Sequence, residues 1–224
     1  MIKVEKIGVW GFEHAIRGMR NPKNSWDKSD SYMCDDRHCG GRCCYEAIAE
    51  KDCNQPDGYH VGKNDLDLMR RLYKAGTEHR KYLRQIFVSM DITAPLYWWK
   101  EFDTYKIGTT ANSCSTMHKI HAKEFELDDF SHEHLHDMFI YQLKDTIIVL
   151  NNARDKYLDT KDKDYWWQMI QLLPSSYNQK RTVTFTYENV MTMIRQRTGH
   201  KLDEWRNFVK ILKDLPYVRE IMDE

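Results

Sequence analysis

The chain has 224 residues, 41% of them apolar and 30% charged, which is typical of folded globular proteins and excludes a disordered chain. Its formal net charge is zero, so no overall attraction favours duplex nucleic acid or an anionic membrane. Because no apolar run reaches the ~20 residues of a membrane span and the N-terminus mixes charged with apolar residues, we expect a cytoplasmic protein with mostly reduced cysteines.

The first predicted element is a strand at residues 2–12, where charged and apolar residues alternate loosely. Polar and turn-forming residues predict a loop over 18–32. Residues 34–62 hold five of the six cysteines and show no regular period, so we treat them as an irregular, cysteine-rich insertion. Asn64 is the expected N-cap of a helix with one apolar face, which ends at Gly76.

A half-buried strand is predicted at residues 86–93, where apolar and polar residues alternate. Pro95 then opens a helix that runs toward Tyr105, since proline is tolerated in a first helical turn. Residues 108–116 are small and polar, and predict a loop.

Helices dominate the predicted second half. The expected helices span residues 131–153, 163–172, 189–196 and 202–212, and Pro174 ends the second of them. With the strands confined to the first half and no linker or repeat in between, the pattern predicts one α+β domain over residues 1–224 with a helix-rich C-terminal half.

The cysteine-rich insertion offers candidate zinc ligands. Tetrahedral zinc is usually held by two close pairs of ligands, and the spacings here match no such template well. A loop with reduced thiols, a structural metal and a redox role therefore all stay open. The candidate ligands are Cys34, Cys39, Cys43 and Cys53. His132 and His136 would share a helical face, but they are better explained as an exposed, polar helix start.

Two polar clusters could bind an anion. The loop Asn112-Ser113-Cys114-Ser115 offers small side chains and backbone N–H groups suited to phosphate or carbonyl oxygens, although no base for a Cys114 nucleophile can be assigned. Arg195, Arg197 and His200 follow at the end of a predicted helix. They either complement the helix dipole or form an anion clamp.

Several weak motifs stand in a characteristic order. A helix ends at Gly76, a turn carries His79, a strand ends at Pro95, a polar loop covers 112–118, and a Leu-Pro pair precedes a helix that ends at Arg197. In this order and spacing the chain resembles the flavin-dependent thymidylate synthase (ThyX) family. The likeness is clear over residues 86–208 and loose before them.

The resemblance implies a ThyX-like fold with a central mixed or antiparallel sheet, assembled as a homotetramer. It implies methylation of a deoxyuridylate-like pyrimidine nucleotide with methylenetetrahydrofolate as one-carbon donor. The cofactor would be FAD, with NADPH as a further co-substrate. No duplex nucleic acid or membrane partner is implied.

The resemblance also assigns residues by motif position. The candidate catalytic residues are Ser115, Lys106 and Tyr105. The candidate substrate-binding residues are Arg197, Asn112, Ser113, Ser115, Lys100 and Glu101. The candidate cofactor-binding residues are His79, Arg84, Lys106, Thr186 and Thr192.

This sequence departs from the family pattern at several of these positions. Thr104 and Tyr105 stand where an Arg-His pair is expected, and Glu101 replaces a glutamine. Thr186 and Glu188 stand where the family has a flavin-contacting asparagine and arginine. Two alternatives therefore remain beside the enzyme: a non-catalytic nucleotide-binding protein of the same fold, and a zinc-stabilised interaction module.

Overall fold

Strand pairing organises the chain into two sheets. A computed structural model of the protein describes residues 1–34 and 58–223. Within these residues, a four-stranded antiparallel sheet has the order β1-β4-β6-β5, and a two-stranded antiparallel ribbon pairs β2 with β3. The strands are β1 (Lys3–Trp10), β2 (Tyr32–Met33), β3 (Tyr59–His60), β4 (Phe87–Pro95), β5 (Thr110–Ser113) and β6 (Asn178–Thr186). The predicted α+β class is confirmed.

Helices make up most of the remaining described chain. They are α1 (Phe12–Arg20), α2 (Lys63–Lys74), α3 (Leu96–Phe102), α4 (Asp137–Thr160), α5 (Lys163–Leu172), α6 (Tyr187–Arg197), α7 (Asp203–Lys213) and α8 (Val218–Met222). A 3₁₀ helix at Lys81–Gln85 leads into β4. No helix in the described ranges has both the length and the apolar character that a bilayer crossing requires.

The strands predicted at residues 2–12 and 86–93 and the helix predicted at 163–172 agree with the structure. The predictions for residues 18–32, for residues 108–116 and for strands in the second half were wrong. Helix α1 extends to Arg20, inside the predicted loop, because its apolar residues recur with helical spacing and face the interior. Strand β5 lies in the predicted loop 108–116, where it is exposed and lacks a hydrophobic pattern. Strand β6 places a strand in the second half, and its alternate residues Val183 and Phe185 are buried.

Helix α4 begins and ends later than predicted. It starts at Asp137 instead of residue 131. The residues before it are non-helical: the backbone N–H of Ser131 donates to the carbonyl of Ser176 (2.8 Å), and a turn follows in which the N–H of Leu135 donates to the carbonyl of His132 (3.0 Å). It continues past residue 153 to Thr160. There Lys161 adopts a left-handed conformation (φ 58°) and ends the helix.

Helix α2 has a cap that comes from a distant residue. Its N-cap is Gly62, and the Asp30 carboxylate accepts from the backbone N–H groups of Asn64 (2.9 Å) and Asp65 (3.2 Å). The predicted Asn64 cap was therefore wrong, because a carboxylate 34 residues earlier satisfies these donors. Gly76, with φ 108°, follows the helix end as predicted.

The chain forms two compact units. The first unit comprises Met1–Glu5, Asp91–Lys106 and Ala111–Val183, and the second comprises Lys6–Met90, Ile107–Thr110 and Thr184–Glu224. The core of the first unit joins α4 and α5 through a buried cluster of Ile120, Phe125, Phe130, Leu143, Ile147, Leu150, Ala153 and Met169. In the second unit, the ring of Phe12 packs edge-on against Tyr187 (5.5 Å) and Tyr217 (5.4 Å). The expectation of a single domain stays a prediction.

Most of the cysteine-rich insertion lies outside the described residues, and with it the candidate ligands Cys39, Cys43 and Cys53. Cys34 is disulfide-bonded, which differs from the expectation of reduced thiols at this position. Among residues 1–34 and 58–223, no cluster of three histidine, cysteine or acidic side chains could hold a metal ion.

Candidate functional site

In the first unit, the segment after β5 is fixed to β6. The backbone N–H of Cys114 donates to the carbonyl of Lys180 (2.9 Å), and the Cys114 carbonyl accepts from Gln179 Nε2 (2.8 Å). Asn112 and Ser113 precede this point in β5, one of the two edge strands of the sheet, and are exposed. The two predicted binding residues therefore lie on a strand edge and not in a loop.

The turn at residues 115–118, which we call the Ser115 turn, is closed by its own hydroxyl. Ser115 Oγ accepts from the backbone N–H of His118 (2.8 Å), and the Met117 carbonyl accepts from Trp166 Nε1 (2.9 Å). Because the Ser115 oxygen is the acceptor here, its hydrogen can be donated to a ligand oxygen. The turn thus presents a fixed hydroxyl donor at the end of an edge strand.

Arg181 supports this region, and sequence reasoning missed it. Its guanidinium lies 4.2 Å from the centre of the Trp99 ring, and Nη1 donates to Asp103 Oδ1 (2.7 Å). Its Nε donates to Gln179 Oε1 (2.9 Å), the same glutamine that holds Cys114. The side chain is only 16% exposed. The alternation of apolar and polar residues within 178–186 is the signal that could have identified it. Side chains in a strand point to opposite faces in turn, so Arg181 lies on the same face as the buried Val183.

Through Asp103, Arg181 also connects β6 to the C-terminal turn of α3. Helix α3 ends at Phe102, earlier than predicted, and the carbonyl of Glu101 accepts from both the hydroxyl (2.7 Å) and the N–H (3.2 Å) of Thr104. Tyr105 is half-buried, with its ring 6.5 Å from Phe102. Lys100 and Lys106 are exposed. The first unit therefore brings the α3 turn and the segment after β5 together through one arginine.

In the second unit, a partly buried ion pair joins the His79 turn to the start of α6. Arg80 Nη2 and Nε donate to Glu188 Oε1 at 2.8 and 3.1 Å, and the two side chains are 7% and 16% exposed. The Arg80 guanidinium also lies 5.5 Å from the Tyr73 ring centre. Two groups of predicted cofactor-binding residues, the His79 turn and the first turns of α6, are thereby held in one place.

His79 is exposed and lines a cavity of about 210 Å³. Lys81, Tyr82 and Gln85 line the same cavity, together with residues of α1 and α2. Burial raises the pKa of the Tyr82 phenol, whose hydroxyl donates to the Met69 carbonyl (2.9 Å), so Tyr82 stays neutral. The cavity combines an exposed imidazole with two lysines, Lys23 and Lys81, the Glu78 carboxylate and an uncharged aromatic wall. Arg84 is exposed nearby in sequence but does not line it.

The start of α6 is tightly packed. Thr186 is 6% exposed, and a methyl group added at Gly108 would meet its side chain at 3.3 Å. Asn189 Nδ2 donates to the Ile107 carbonyl (2.9 Å) and to Thr109 Oγ1 (2.7 Å). Thr186 is therefore a buried packing residue in this chain, whereas Thr192 is partly accessible.

Arg197 lies at the other end of α6. Its guanidinium lies 4.7 Å from the centre of the buried Trp205 ring, and Nη1 is 3.2 Å from His200 Nε2. The 11 residues of α6 separate Arg197 from Glu188 by about 14 Å along the helix axis. The half-buried cation is thus held against an aromatic face instead of extending freely into solvent.

Comparison with solved structures gives a likeness over the entire chain. One neighbour is thymidylate synthase X (ThyX) from Helicobacter pylori with FAD and dUMP: TM-score 0.64, 16% identity, covering 100% of this chain and 98% of that one. A second is a flavin-dependent thymidylate synthase ThyX from the same organism complexed with FAD and dUMP: TM-score 0.65, 17% identity, with coverages of 99% and 98%. No protein-family model and no curated protein matches the sequence. The chain therefore has a ThyX-like fold.

Proposed function

We propose that this protein is a divergent, flavin-dependent methylating enzyme of the thymidylate synthase type. Its substrate is a pyrimidine deoxynucleotide similar to dUMP, its one-carbon donor is methylenetetrahydrofolate, and its reducing equivalents come from NADPH through FAD. The observation that carries the proposal is the full-length fold likeness to two proteins solved with FAD and dUMP. The cytoplasm is the proposed location.

The residues around His79 suit a flavin. A flat, exposed imidazole can stack on a flat ring, and the exposed cations Lys81 and Arg84 suit a diphosphate. Thr192 is accessible on α6, whereas Thr186 contributes packing. When bound, FAD supplies a hydride. The role of this chain is to hold the ring beside a neutral Tyr82 and to keep positive charge near the phosphates.

The proposed nucleotide contacts are charged or hydroxyl donors. Arg197, stacked on Trp205, binds the nucleotide and stabilises negative charge that develops on its ring oxygen. In the first unit, the Ser115 hydroxyl is the proposed donor to a nucleotide phosphate, and Asn112 and Ser113 shape the adjoining strand edge. Lys100 and Lys106 are the proposed additional cations. Tyr105 and the backbone of Glu101 belong to the turn at the C-terminal end of α3, between these two lysines.

The proposed assembly is a homotetramer. Helix α4 exposes five large apolar side chains, with exposed fractions of 69% for Met138, 51% for Phe139, 67% for Tyr141, 57% for Ile148 and 50% for Val149. Apolar surface of this extent on one helix favours burial against a second copy. Sedimentation of the intact protein and of an Ile148→Glu variant measures the assembly, and a monomeric intact protein would contradict it.

Genetic complementation tests the function. In a thymidine-requiring host, the intact protein should support growth without thymidine, and Arg197→Ala should not. Arg195→Ala is the matched control, because Arg195 is an exposed arginine near the same helix end and contacts neither Trp205 nor His200 in the described structure. Growth with Arg197→Ala, or no growth with the intact protein, argues against the proposed reaction.

The purified protein offers a second test. It should be yellow, with a flavin absorption band that is lost after unfolding and dialysis. A colourless protein whose melting temperature rises with added dUMP would instead support the non-catalytic nucleotide-binding alternative, since a ligand that binds only the folded state stabilises it.

A further inference from the structure

In the second unit, the turn between α7 and α8 is fixed by two tyrosine hydroxyls. The buried Tyr187 donates to the carbonyl of Pro216 (2.8 Å), and the Tyr217 hydroxyl accepts from the backbone N–H of Val61 (3.1 Å). The ring of Tyr217 also packs edge-on against Phe12 (5.4 Å). Contacts from the start of α6, from α1 and from the segment before α2 therefore hold this turn in one conformation.

The backbone of the turn is strained. Tyr217 adopts a left-handed conformation (φ 59°), which is unfavourable for a residue with a Cβ. Lys6 is left-handed as well (φ 54°), and it directly precedes Ile7, which approaches the same turn. Strained positions of this kind cluster at ligand sites, where the surrounding contacts maintain the strain. The turn and the strand residue that faces it are therefore candidates for a binding function.

Between them lies an open groove of about 640 Å³, which we call the α7–α8 groove. Its apolar lining residues are Ile7, Ile211, Leu215, Pro216 and Tyr217. Ile7 is 46% exposed, so apolar surface in the groove is in contact with water. A groove of this size suits a small molecule with an apolar part, because binding removes both apolar surfaces from water.

The charged residues of the same lining have both signs, and they are Lys213, Asp214, Arg219 and Glu220. Arg219 Nη2 donates to Asp214 Oδ1 (2.6 Å), and this pair joins the end of α7 to α8. A ligand with a single negative or positive charge would meet like charge in this lining. A zwitterion avoids the conflict, because its carboxylate can pair with Lys213 while its ammonium group pairs with Glu220.

We propose that the α7–α8 groove binds a free amino acid with a large apolar side chain. The side chain covers Ile7 and Tyr217, the α-carboxylate pairs with Lys213, and the α-ammonium group pairs with Glu220. The site goes beyond the proposed catalytic function, since none of its lining residues belongs to the His79 cavity, the Ser115 turn or the contacts of Arg197.

Isothermal titration calorimetry with L-phenylalanine as probe tests the site. The intact protein should bind the probe with a Kd below about 1 mM. Three compounds each lack one recognised group: 3-phenylpropanoate has no ammonium group, 2-phenylethylamine has no carboxylate, and glycine has no side chain. Each should bind at least about tenfold more weakly than L-phenylalanine.

Variants of the two charged contacts separate recognition of the ligand from a structural role. Lys213→Ala should weaken L-phenylalanine binding by about tenfold and abolish its advantage over 2-phenylethylamine, because the carboxylate has lost its partner. Glu220→Ala should likewise abolish the advantage over 3-phenylpropanoate. A purely structural effect would weaken all the compounds alike and leave these preferences unchanged.

Lys210→Ala is the matched control, because Lys210 is an exposed lysine of α7 that does not line the groove, and it should leave the affinity unchanged. Either of two results overturns the inference. One is that the intact protein shows no L-phenylalanine binding with a Kd below about 1 mM. The other is that Lys213→Ala and Glu220→Ala leave both the affinity and the ligand preferences as they are in the intact protein.

Discussion

Arg80 and Glu188 form a partly buried ion pair, with Nη2 and Oε1 2.8 Å apart, and so connect the His79 turn to the first turn of α6. The family resemblance places a flavin-contacting arginine at position 188, where this chain has an acid. The structure shows a compensating cation at Arg80, from a different element. The Arg80 guanidinium therefore compensates the carboxylate charge in the region proposed for the flavin, with both of its hydrogen bonds going to Oε1.

Removal of either partner should destabilise the protein. Arg80→Ala or Glu188→Ala should each lower the free energy of unfolding by about 3 kcal/mol, because the remaining charge stays buried without its partner. The double variant should lose less than the sum of the two single losses. Urea denaturation at neutral pH gives all three values.

The exposed pair Asp67–Arg71 on α2 is the control, with side chains 61% and 63% exposed. Arg71→Ala should change the stability by less than about 0.5 kcal/mol, since solvent screens exposed pairs. Strictly additive losses for Arg80→Ala and Glu188→Ala would mean that the two side chains are not coupled.

The fully buried Asp65 predicts a pH dependence. Burial raises the pKa of its carboxyl, but hydrogen bonds from Ser29 and Ser31 and the Arg20 guanidinium outweigh burial, so the pKa lies below its usual value. A group with a lowered pKa in the folded state contributes stability above its unfolded pKa. That contribution is lost as the pH falls through the folded pKa.

The stability of the intact protein should therefore decline as the pH falls below about 4. Asp65→Asn should be less stable at pH 7 by about 3 kcal/mol, because Arg20 loses its charged partner. The difference between the two proteins should shrink toward pH 3. A constant difference from pH 7 to pH 3, measured by urea denaturation, would contradict the role of the carboxylate charge.

The contrast between α2 and β5 shows what the sequence reveals. The period of Leu68 and Met69 and the stop at Gly76 are local signals, so α2 could be predicted. Its cap could not, because Asp30 approaches only when the chain folds. Strand β5 has exposed, small residues and exists through its pairing with β6, which no local propensity indicates.

The candidate site shows the same limit. The resemblance identified His79 and Arg197 by their positions in motifs, but not the groups that hold them or their neighbours in place. Contacts between different elements hold these groups in place: Arg80 pairs with Glu188, Arg197 stacks on Trp205, and Arg181 stacks on Trp99. A sequence gives the type and order of such residues. Their partners are set by the tertiary fold.

Arg181 should control the mobility of the segment after β5. Arg181→Ala removes the contacts to Trp99, Asp103 and Gln179, and through Gln179 it loosens Cys114. We expect faster amide hydrogen exchange at residues 114–118 and a stability loss of about 1–3 kcal/mol. Lys123→Ala, at an exposed cation of the same unit, should change neither quantity. Unchanged exchange at residues 114–118 in Arg181→Ala would contradict this anchoring.

Two glycines with positive φ should respond differently to alanine. Gly11 (φ 97°) leads into α1, and a methyl group there would overlap the backbone carbonyl oxygen of Gln85, which cannot move aside easily. Gly76 (φ 108°) follows α2 and has no neighbouring atom within 4 Å of the added methyl group. Gly76→Ala should therefore cost only the strain of a left-handed residue, about 1–2 kcal/mol. Gly11→Ala should cost at least about 2 kcal/mol more, because overlap adds to strain. Thermal and urea unfolding of both variants measure the difference, and equal losses would show that the approach of Gln85 to Gly11 does not constrain the fold.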